Sequence, residues 1–474
     1  MKYAKKEISN WYDEVLERAD ILDNRYPLKG CYVWRPYGWQ IMKNIMKIWD
    51  NALVNSGHQE ARFPLLIPES LFGKESKHLR GFEEQVYWVT RAGRRELDEK
   101  LIIRPTSETA IYPMYSLWIR SHKDLPLRIY QNSNVMRYES KSTRPLIRDR
   151  EIFPWFEAHT AHATLEDAEE QIKTEIKVLK EIFNKLSLPY LILNKPKWEL
   201  FPGAISAIEF YSILPNGVLL ENGSVNNLGQ AFSKVYDIKF RKQNDSYEYV
   251  WQTCTGNGER LLAAVILIHG DDYGLVLPPS IAPIHSVIVP IPKKGKLLKI
   301  KEFSEEINEK LNRMQITSYL DVRKEITPGE KFYDWDLKGV PTRVEIGEKE
   351  IENDGLTVYR RDIRKRVFIH SNEINKFFSS VFDDISNSMM AKAINNTESL
   401  IKILYNYDEL RRMLSEGYVA KISFCGSKEC SDKIKDDFAA DVVGLLYENI
   451  SMEKENCIVC GKSSIGQAIV GKTF

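Results

Sequence analysis

Three prolines fall within the seven residues Leu277-Pro278-Pro279-Ser280-Ile281-Ala282-Pro283, and this run parses the whole chain. Proline fixes φ and lacks a backbone N–H, so neither a helix nor a central strand continues through such a stretch. A domain boundary is therefore expected near residue 280. At about 150 residues per domain, a chain of 474 residues holds two to four domains. Before the boundary, Ile8, Trp11, Tyr12, Val15, Leu16 and Ala19 recur at helical spacing, as do Ile41, Ile45, Ile48, Trp49 and Ala52. A third helix is expected from Thr164 as N-cap, with Asp167 completing a capping box. Its apolar face is Ala168, Ile172, Ile176, Leu179, Phe183 and Leu186. Helices segregated from β-rich runs at 127–130 and 205–213 predict an α+β domain with a mostly antiparallel sheet over 1–280. Beyond the boundary, Ser286-Val287-Ile288-Val289-Pro290, a lysine-rich helix and Thr317-Ser318-Tyr319-Leu320 read as a parallel strand–helix–strand unit. This predicts an α/β domain over 281–385, followed by a small α/β domain over 386–474.

The charge balance narrows the function. Lys+Arg is 67 against Asp+Glu 66, a net charge of +1. That excludes a uniformly basic nucleic-acid coat but leaves room for local basic patches. An apolar fraction of 43% with 10 Trp excludes wholesale disorder. No apolar run reaches the length of about 18 residues that a membrane span needs. The first residues, Met1-Lys2-Tyr3-Ala4-Lys5-Lys6-Glu7, carry no apolar signal segment, so a cytoplasmic location is expected. In a reducing compartment disulfides are disfavoured. Cys31 and Cys254 then read as core residues. Cys425, Cys430, Cys457 and Cys460 form two short loops, each able to bring two thiolates to one tetrahedral Zn2+. Four thiolates leave no open position, so that zinc would be structural. The alternative is buried cysteines without a metal.

Four stretches before the boundary carry chemistry. Arg104-Pro105-Thr106-Ser107-Glu108 is a turn opening a helix, with Glu108 favourable beside the helix N-terminus. In Val135-Met136-Arg137-Tyr138-Glu139, read as a strand, Arg137 and Glu139 share a face. With Arg144, Arg148 and Arg150 following, they form either a phosphate-binding cluster or a surface ion pair. In the stretch from Trp155 to Thr164, Glu157 and His159 share a strand face. Together with His162 they are either metal ligands or hydrogen-bonded core residues. Thr255-Gly256-Asn257-Gly258-Glu259-Arg260 reads as a glycine-rich turn leading into an apolar helix, a place where backbone can approach an anion.

In order and combination these stretches resemble the catalytic core of class II aminoacyl-tRNA synthetases. In detail the chain is similar to the prolyl-tRNA synthetase family of the archaeal and eukaryotic type. The likeness runs from Trp11-Tyr12 through Pro36-Tyr37-Gly38, Gly57-His58, Phe63-Pro64-Leu65, Asn227-Leu228-Gly229-Gln230 and His269-Gly270-Asp271. It continues to Lys331-Phe332-Tyr333-Asp334-Trp335 and the four-cysteine tail. The resemblance implies an antiparallel sheet flanked by helices, a homodimer with Pro64 at its interface, and ATP-dependent joining of proline to tRNA(Pro). It implies that Arg137 grips the α-phosphate and the substrate carboxylate, and that Arg260 and Arg148 take the β- and γ-phosphates. Glu139 would accept from the adenine amino group, and Mg2+ would bridge the phosphates. Thr106 and Glu108 would hold the proline ammonium, Trp155 would wall its ring, and Glu157 and His159 would orient them. Lys331 and Arg343 become candidates for tRNA contacts, and the basic run from Arg360 to Arg366 either tracks tRNA phosphates or is a solvated face.

Five positions depart from the family pattern. Glu221, Ser224 and Asn226 stand where the family has Gln, Thr and His, with Glu221 and Ser224 serving ATP, ribose or magnesium and Asn226 the amino acid. Thr255 replaces an aromatic expected beside the ring pocket. Phe474 replaces a terminal tyrosine. These departures keep open a paralogue acting on another small or cyclic amino acid, and a catalytically silent relative that binds RNA or a partner. The stretch between Glu139 and Arg260 is too short for a large editing insertion, so clearance of mischarged alanyl-tRNA is expected to fall to another protein.

Overall fold

The computed structural model describes residues 1–74, 84–140, 142–201, 203–448 and 456–474. Its centre is one sheet that, among the described residues, has eleven strands. In chain order these are β1 (Gln59–Glu60), β2 (Leu127–Met136), β3 (Glu151–His162), β4 (Leu191–Asn194), β5 (Ser206–Ile213), β6 (Leu219–Gly229) and β7 (Trp251–Gly258). From the C-terminal segment come β8 (Ile401–Leu404), β9 (Val419–Phe424), β10 (Asp441–Leu446) and β11 (Gly466–Gly471). The spatial order is β8-β9-β11-β10-β4-β5-β6-β7-β3-β2-β1. From β2 to β4 every neighbouring pair is antiparallel, as expected for residues 1–280. The C-terminal strands extend this sheet rather than forming their own, because β10 pairs with β4 through Leu445 and Asn194.

Helices cover the back of the sheet. The helix α1 (Ile8–Arg18) buries Trp11, Tyr12, Val15 and Leu16, and α2 (Pro36–Asn55) buries Ile41, Ile45, Trp49 and Ala52. In front of the sheet, α3 (Glu108–Trp118) begins at the conspicuous glutamate. The helix α4 (Leu165–Lys185) starts where the Thr164 hydroxyl accepts from the Asp167 N–H at 3.1 Å. Its apolar face, Ala168 to Phe183, is buried in the main core. The next helix, α5 (Arg260–His269), is apolar on every side from Leu261 to Leu267 and buried throughout. It ends at Gly270, where a Cβ would come within 2.5 Å of the Trp11 ring. That close approach is why the chain can turn there against α1.

The proline-rich run lies between α5 and the parallel strand Ser286–Pro290. That strand pairs in parallel with Ser318–Leu320 and Thr342–Ile346, with α6 (Leu297–Arg313) and α7 (Pro328–Leu337) between them. The helix α8 (Ile374–Leu400) runs unbroken past residue 385; its residues Ile374 to Met389 pack in the core of this second domain. Arg361, 1% exposed, spans the junction: it donates to both carboxylate oxygens of Asp271, at 2.7 and 2.6 Å. Among the described residues, no helix is long and apolar enough to cross a membrane.

Candidate active site

Strand register assembles the site. On the front face of the sheet, cross-strand partners form three rows. The first is Ser133, Trp155 and Gly258; the second Gln131, Glu157, Gly256 and Ser224; the third Ile129, His159, Cys254 and Asn226. Residues two apart on a strand share a face, so each strand contributes every second side chain. The two glycines stand opposite Trp155 and Glu157. A Cβ at Gly258 would lie 3.0 Å from the Pro154 carbonyl oxygen and 3.5 Å from the Trp155 ring. Glycine here makes room for the Pro154 carbonyl, with the indole in ordinary contact.

This corrects the expectation of a glycine-rich turn: Thr255 to Gly258 are strand, and α5 follows after Glu259. Thr255 is corrected with it. It lies on the back face, where its hydroxyl donates to the Glu175 carboxylate of α4. The pocket-side neighbour at this level is Cys254, buried across from Asn226 and His159.

A bulge brings Glu221 into phase. Glu221 and Ser224 are three apart, which on a regular strand means opposite faces. Between them β6 shifts register, with Phe210 opposite Gly223 and Tyr211 opposite Glu221. The extra residue, Asn222, turns back to donate to Ser212 at 2.8 Å. Glu221 thereby reaches Arg260 at 3.2 Å, and Ser224 accepts from Asn226 at 3.2 Å.

Arg137 and Glu139 lie just beyond β2, not on a strand as the sequence suggested. The Arg137 N–H donates to Arg150 and Glu139 N–H turns back on the Arg137 carbonyl, which ends the ladder. Both still line one cleft, with Arg148, Asp149, Trp155, Glu221, Glu259 and Arg260. The Arg137 guanidinium sits 5.0 Å above the Trp155 ring, and its Nε donates to Pro105 at 2.9 Å. Arg260 Nε donates to Ile147 at 2.9 Å. Arg144 and Arg150 point elsewhere: Arg144 holds Ser9 and stacks on Tyr12, and Arg150 stacks on Tyr138.

Behind the cleft lies a closed polar network. Thr106 donates to Glu108. Glu157, 3% exposed, accepts from Ser107, from Gln131 at 2.9 Å and from Ser133 at 3.0 Å, and its other oxygen faces His159 Nε2 at 3.1 Å. Tyr112 bonds the second ring nitrogen of His159 at 3.0 Å. Burial pushes the Glu157 carboxyl up, but His159, Ser107 and Arg104 outweigh it and hold it below the usual range. Burial likewise works against charge on His159, and Glu157 overrides it, raising the imidazole. His162 is on the other face, bonded to Thr160, and burial lowers it to about 4. The metal reading of Glu157, His159 and His162 is therefore withdrawn. Sequence reasoning missed Ser107, Gln131, Ser133, Tyr112, Asp149 and Glu259. The period-two Gln131 and Ser133, on a strand face otherwise made of Leu127, Ile129 and Val135, were the available signal.

The tRNA candidates are also relocated. Lys331, 5% exposed, donates to the Asp321 carbonyl at 2.9 Å and faces its carboxylate. Arg343, 3% exposed, is held by Asp336 and Glu345 between the Phe332 and Tyr359 rings. Neither offers a free cation to a phosphate. In the basic run, Arg360 pairs with Asp362, Arg361 with Asp271 and Arg366 with Glu345, so it is not an open phosphate track either. The carboxylates two residues away or across the strand were visible in the sequence but not their pairing.

The four C-terminal cysteines do converge. Their sulfurs lie within 4.8 Å of one another, with Cys425 at 3.6 Å from Cys430 and 3.7 Å from Cys460. A tetrahedron with Zn–S of about 2.3 Å has edges of about 3.8 Å, so the donor set fits that ion. The chain end runs beside the start of β6, where the Leu219 N–H donates to Lys472 at 2.8 Å, and Phe474 is exposed.

Comparison with known proteins decides the family. A model of the tRNA synthetase class II core domain (G, H, P, S and T) matches residues 87–269, an anticodon binding domain 285–381, and the prolyl-tRNA synthetase C-terminal domain 407–474. The proline–tRNA ligase of Pyrococcus abyssi (strain GE5 / Orsay) is 45% identical over 477 residues, covering 100% of this chain and 99% of its own length. The chain belongs to the prolyl-tRNA synthetase family. The proline–tRNA ligase of Thermoplasma acidophilum is also 45% identical, covering 98% of each chain. Among solved structures, Giardia lamblia prolyl-tRNA synthetase in complex with prolyl-adenylate matches with TM-score 0.96 and 35% identity over 99% of both chains. The family's fold accounts for the shared sheet, the second domain and the cysteine-bearing C-terminal segment described above.

Proposed function

We infer that the chain activates proline with ATP to prolyl-adenylate and pyrophosphate, then transfers the prolyl group to the 3′ end of tRNA(Pro). The full-length likeness to proline–tRNA ligases carries this reading. The cleft supports it chemically. The attacking carboxylate is already ionised, so activation needs in-line positioning and neutralised phosphate charge rather than a protein base.

Arg137, between Pro105 and Trp155, is placed to hold the α-phosphate and the substrate carboxylate together. Arg148 and Arg260 supply the β- and γ-phosphates with guanidinium forks, whose geometry matches phosphate oxygens. Glu139 receives the adenine amino group. Thr106 and Glu108 hold the secondary ammonium, against the wall made by Trp155 and the floor made by Asn226. Glu157 and His159 are too buried to touch substrate and act by fixing Ser107 and the surrounding strand. Glu221 and Ser224 take the ribose edge. Glu221 is also the carboxylate placed to share Mg2+ with phosphate oxygens, a donor set that ion accepts; it would add positive charge to the phosphates.

Cys425, Cys430, Cys457 and Cys460 hold structural Zn2+. Metal analysis of the purified protein should give one zinc per chain, and serine at Cys425 and Cys457 should abolish it. The homodimer interface includes the exposed apolar side chains Leu65, Leu66, Leu117 and Trp118 near Pro64, the two segments meeting where Trp118 packs on Phe63; exposed apolar surface of this kind marks association sites. The tRNA anticodon is taken by the domain of residues 285–381. The work is done in the cytoplasm, on tRNA.

ATP–pyrophosphate exchange with a panel of amino acids tests the reading. Exchange with proline and charging of tRNA(Pro) are expected. Exchange only with another small or cyclic acid would instead support the paralogue, whose remaining motive is Asn226 on the pocket floor. A folded, ATP-binding chain with no exchange at all would support the silent relative.

A further inference from the structure

The cleft holds an imbalance. Three arginines, Arg137, Arg148 and Arg260, line it against four carboxyls, Glu139, Asp149, Glu221 and Glu259. A site of net negative charge is a poor host for a polyphosphate. Two of the four carboxyls differ from the others. Asp149 and Glu259 are 3% and 5% exposed and hydrogen-bond to each other. Two ionised carboxylates cannot do this, since neither donates.

The partners around them leave that place for a proton. Asp149 Oδ2 accepts from the Leu146 N–H at 2.7 Å, and the Phe153 N–H reaches Glu259 Oε2 at 3.3 Å. Asp149 Oδ1 is buried and meets no backbone N–H, and the Tyr32 hydroxyl is a further donor to the Asp149 carboxyl. The charged and titratable groups facing the pair are Arg260, Tyr32 and Tyr12, with Cys31 at the edge and Arg144 beyond Tyr12. Arg260 favours ionisation. Burial opposes it more strongly, pushing Asp149 up to about 7 and Glu259 well above the usual carboxylate range.

The pair also has a place in the machinery. Asp149 follows Arg148 in the turn between β2 and β3, and Glu259 precedes Arg260 at the start of α5. The Arg260–Ile147 bond runs alongside as a second rung. We propose that Asp149 and Glu259 are positioning residues: one shared proton joins them, ties the Arg148 turn to the Arg260 helix, and keeps the cleft from carrying excess negative charge. Losing that proton leaves two buried like charges side by side, which separates the two segments that grip the phosphates.

This rests on the ATP-dependent reading above, so the test reads nucleotide binding as well as catalysis. The KM for ATP in proline-dependent exchange, and the Kd of a non-hydrolysable ATP analogue, are measured from pH 6 to 10 on the full-length protein. In the wild type both should rise on the alkaline side, while the KM for proline stays flat. Glu259→Ala should raise the KM for ATP about tenfold at neutral pH, from the unpaired Asp149 left behind. Glu259→Gln supplies a permanent donor with no proton to lose; it should restore most of the affinity and abolish the alkaline rise in both readouts. An alkaline rise in Glu259→Gln equal to the wild type overturns the proposal, as does a Glu259→Ala protein, folded by thermal melt, with unchanged nucleotide affinity. If no amino acid supports exchange but analogue binding follows the stated pattern, the proline reading falls and the pair stands.

Discussion

The cleft and the anticodon-binding domain both concentrate arginine, yet they hold it differently. In the cleft, backbone carbonyls do the holding: Pro105 takes Arg137 Nε and Ile147 takes Arg260 Nε. A carbonyl fixes a guanidinium without cancelling its charge. Arg260 also meets a carboxylate, Glu221, and that pair is more than a third exposed on each side. In the second domain, carboxylates do the holding: Asp336 and Glu345 take Arg343, and Asp271 takes Arg361. Those cations are spent on the fold. A basic cluster in a sequence is therefore two different objects, and the partner of each guanidinium tells them apart.

The comparison breaks first at its strongest point. Arg137→Ala should lower proline-dependent exchange by 10²–10³, about 3–4 kcal/mol of barrier. The melting temperature should change little, because the Pro105 carbonyl that Arg137 Nε meets is a neutral acceptor, left uncharged by the loss. A variant with near-normal exchange, or one that simply unfolds, would put Arg137 in the same class as Arg343.

The converse comes next. Arg343→Ala strands Asp336 and leaves the buried Glu345 with Arg366 alone, and Arg361→Ala strands Asp271 at the domain junction. Breaking a buried pair costs about 3 kcal/mol, with less expected at Asp271, which keeps some exposure. Denaturant unfolding should show the loss. Exchange at low temperature should persist, whereas tRNA charging by Arg361→Ala should fall as the second domain loosens. Loss of exchange with stability intact would return these residues to a direct role.

Much of this was legible beforehand, and the exceptions share a cause. The helices α1, α2 and α4 follow from apolar spacing, and the Thr164 cap from residue type. The residues that meet in the cleft were identified by their order along the chain. What failed was local geometry that the sheet imposes. Thr255 to Gly258 look like a turn because two glycines flank an asparagine, but pairing with β3 keeps them extended, and Gly258 gives room to the Pro154 carbonyl. Glu221 is in phase with Ser224 only through a bulge that no residue pattern announces. Lys331 and Arg343 were read as candidates for tRNA contacts because nothing in a sequence gives burial of a charge whose partner is a strand away.

A smaller effect lies behind the cleft, at Glu157 and His159. Glu157 is held below its unfolded value, so its contribution is present above that value and is lost as pH falls through the folded one. His159 is raised, so its contribution is complete below the unfolded value and is lost as pH rises through the folded one. The pair should therefore stabilise most between about pH 4.5 and 6.5, with a decline on the alkaline side. Melting temperatures of wild type and His159→Gln across pH 5–9 should converge at the alkaline end. A constant gap would mean that hydrogen bonding, not charge, carries the contact.

The finest test concerns which side of the sheet a residue serves. Thr255 looked like a pocket residue and is bonded instead to Glu175, whose carboxyl burial pushes up to about 7. Thr255→Val keeps the shape and removes one of the donors to that carboxyl; Thr253 at 3.0 Å and Gln171 at 3.2 Å remain. The cost should be about 1 kcal/mol of stability, with the KM for proline within about twofold of wild type, well under 1.4 kcal/mol of binding. Asn226→Ala, on the opposite face across from Cys254, should do the reverse: raise the KM for proline and leave unfolding nearly unchanged. If Thr255→Val moves proline affinity as much as Asn226→Ala does, the sheet transmits between its faces, and amino-acid choice is set by both layers together.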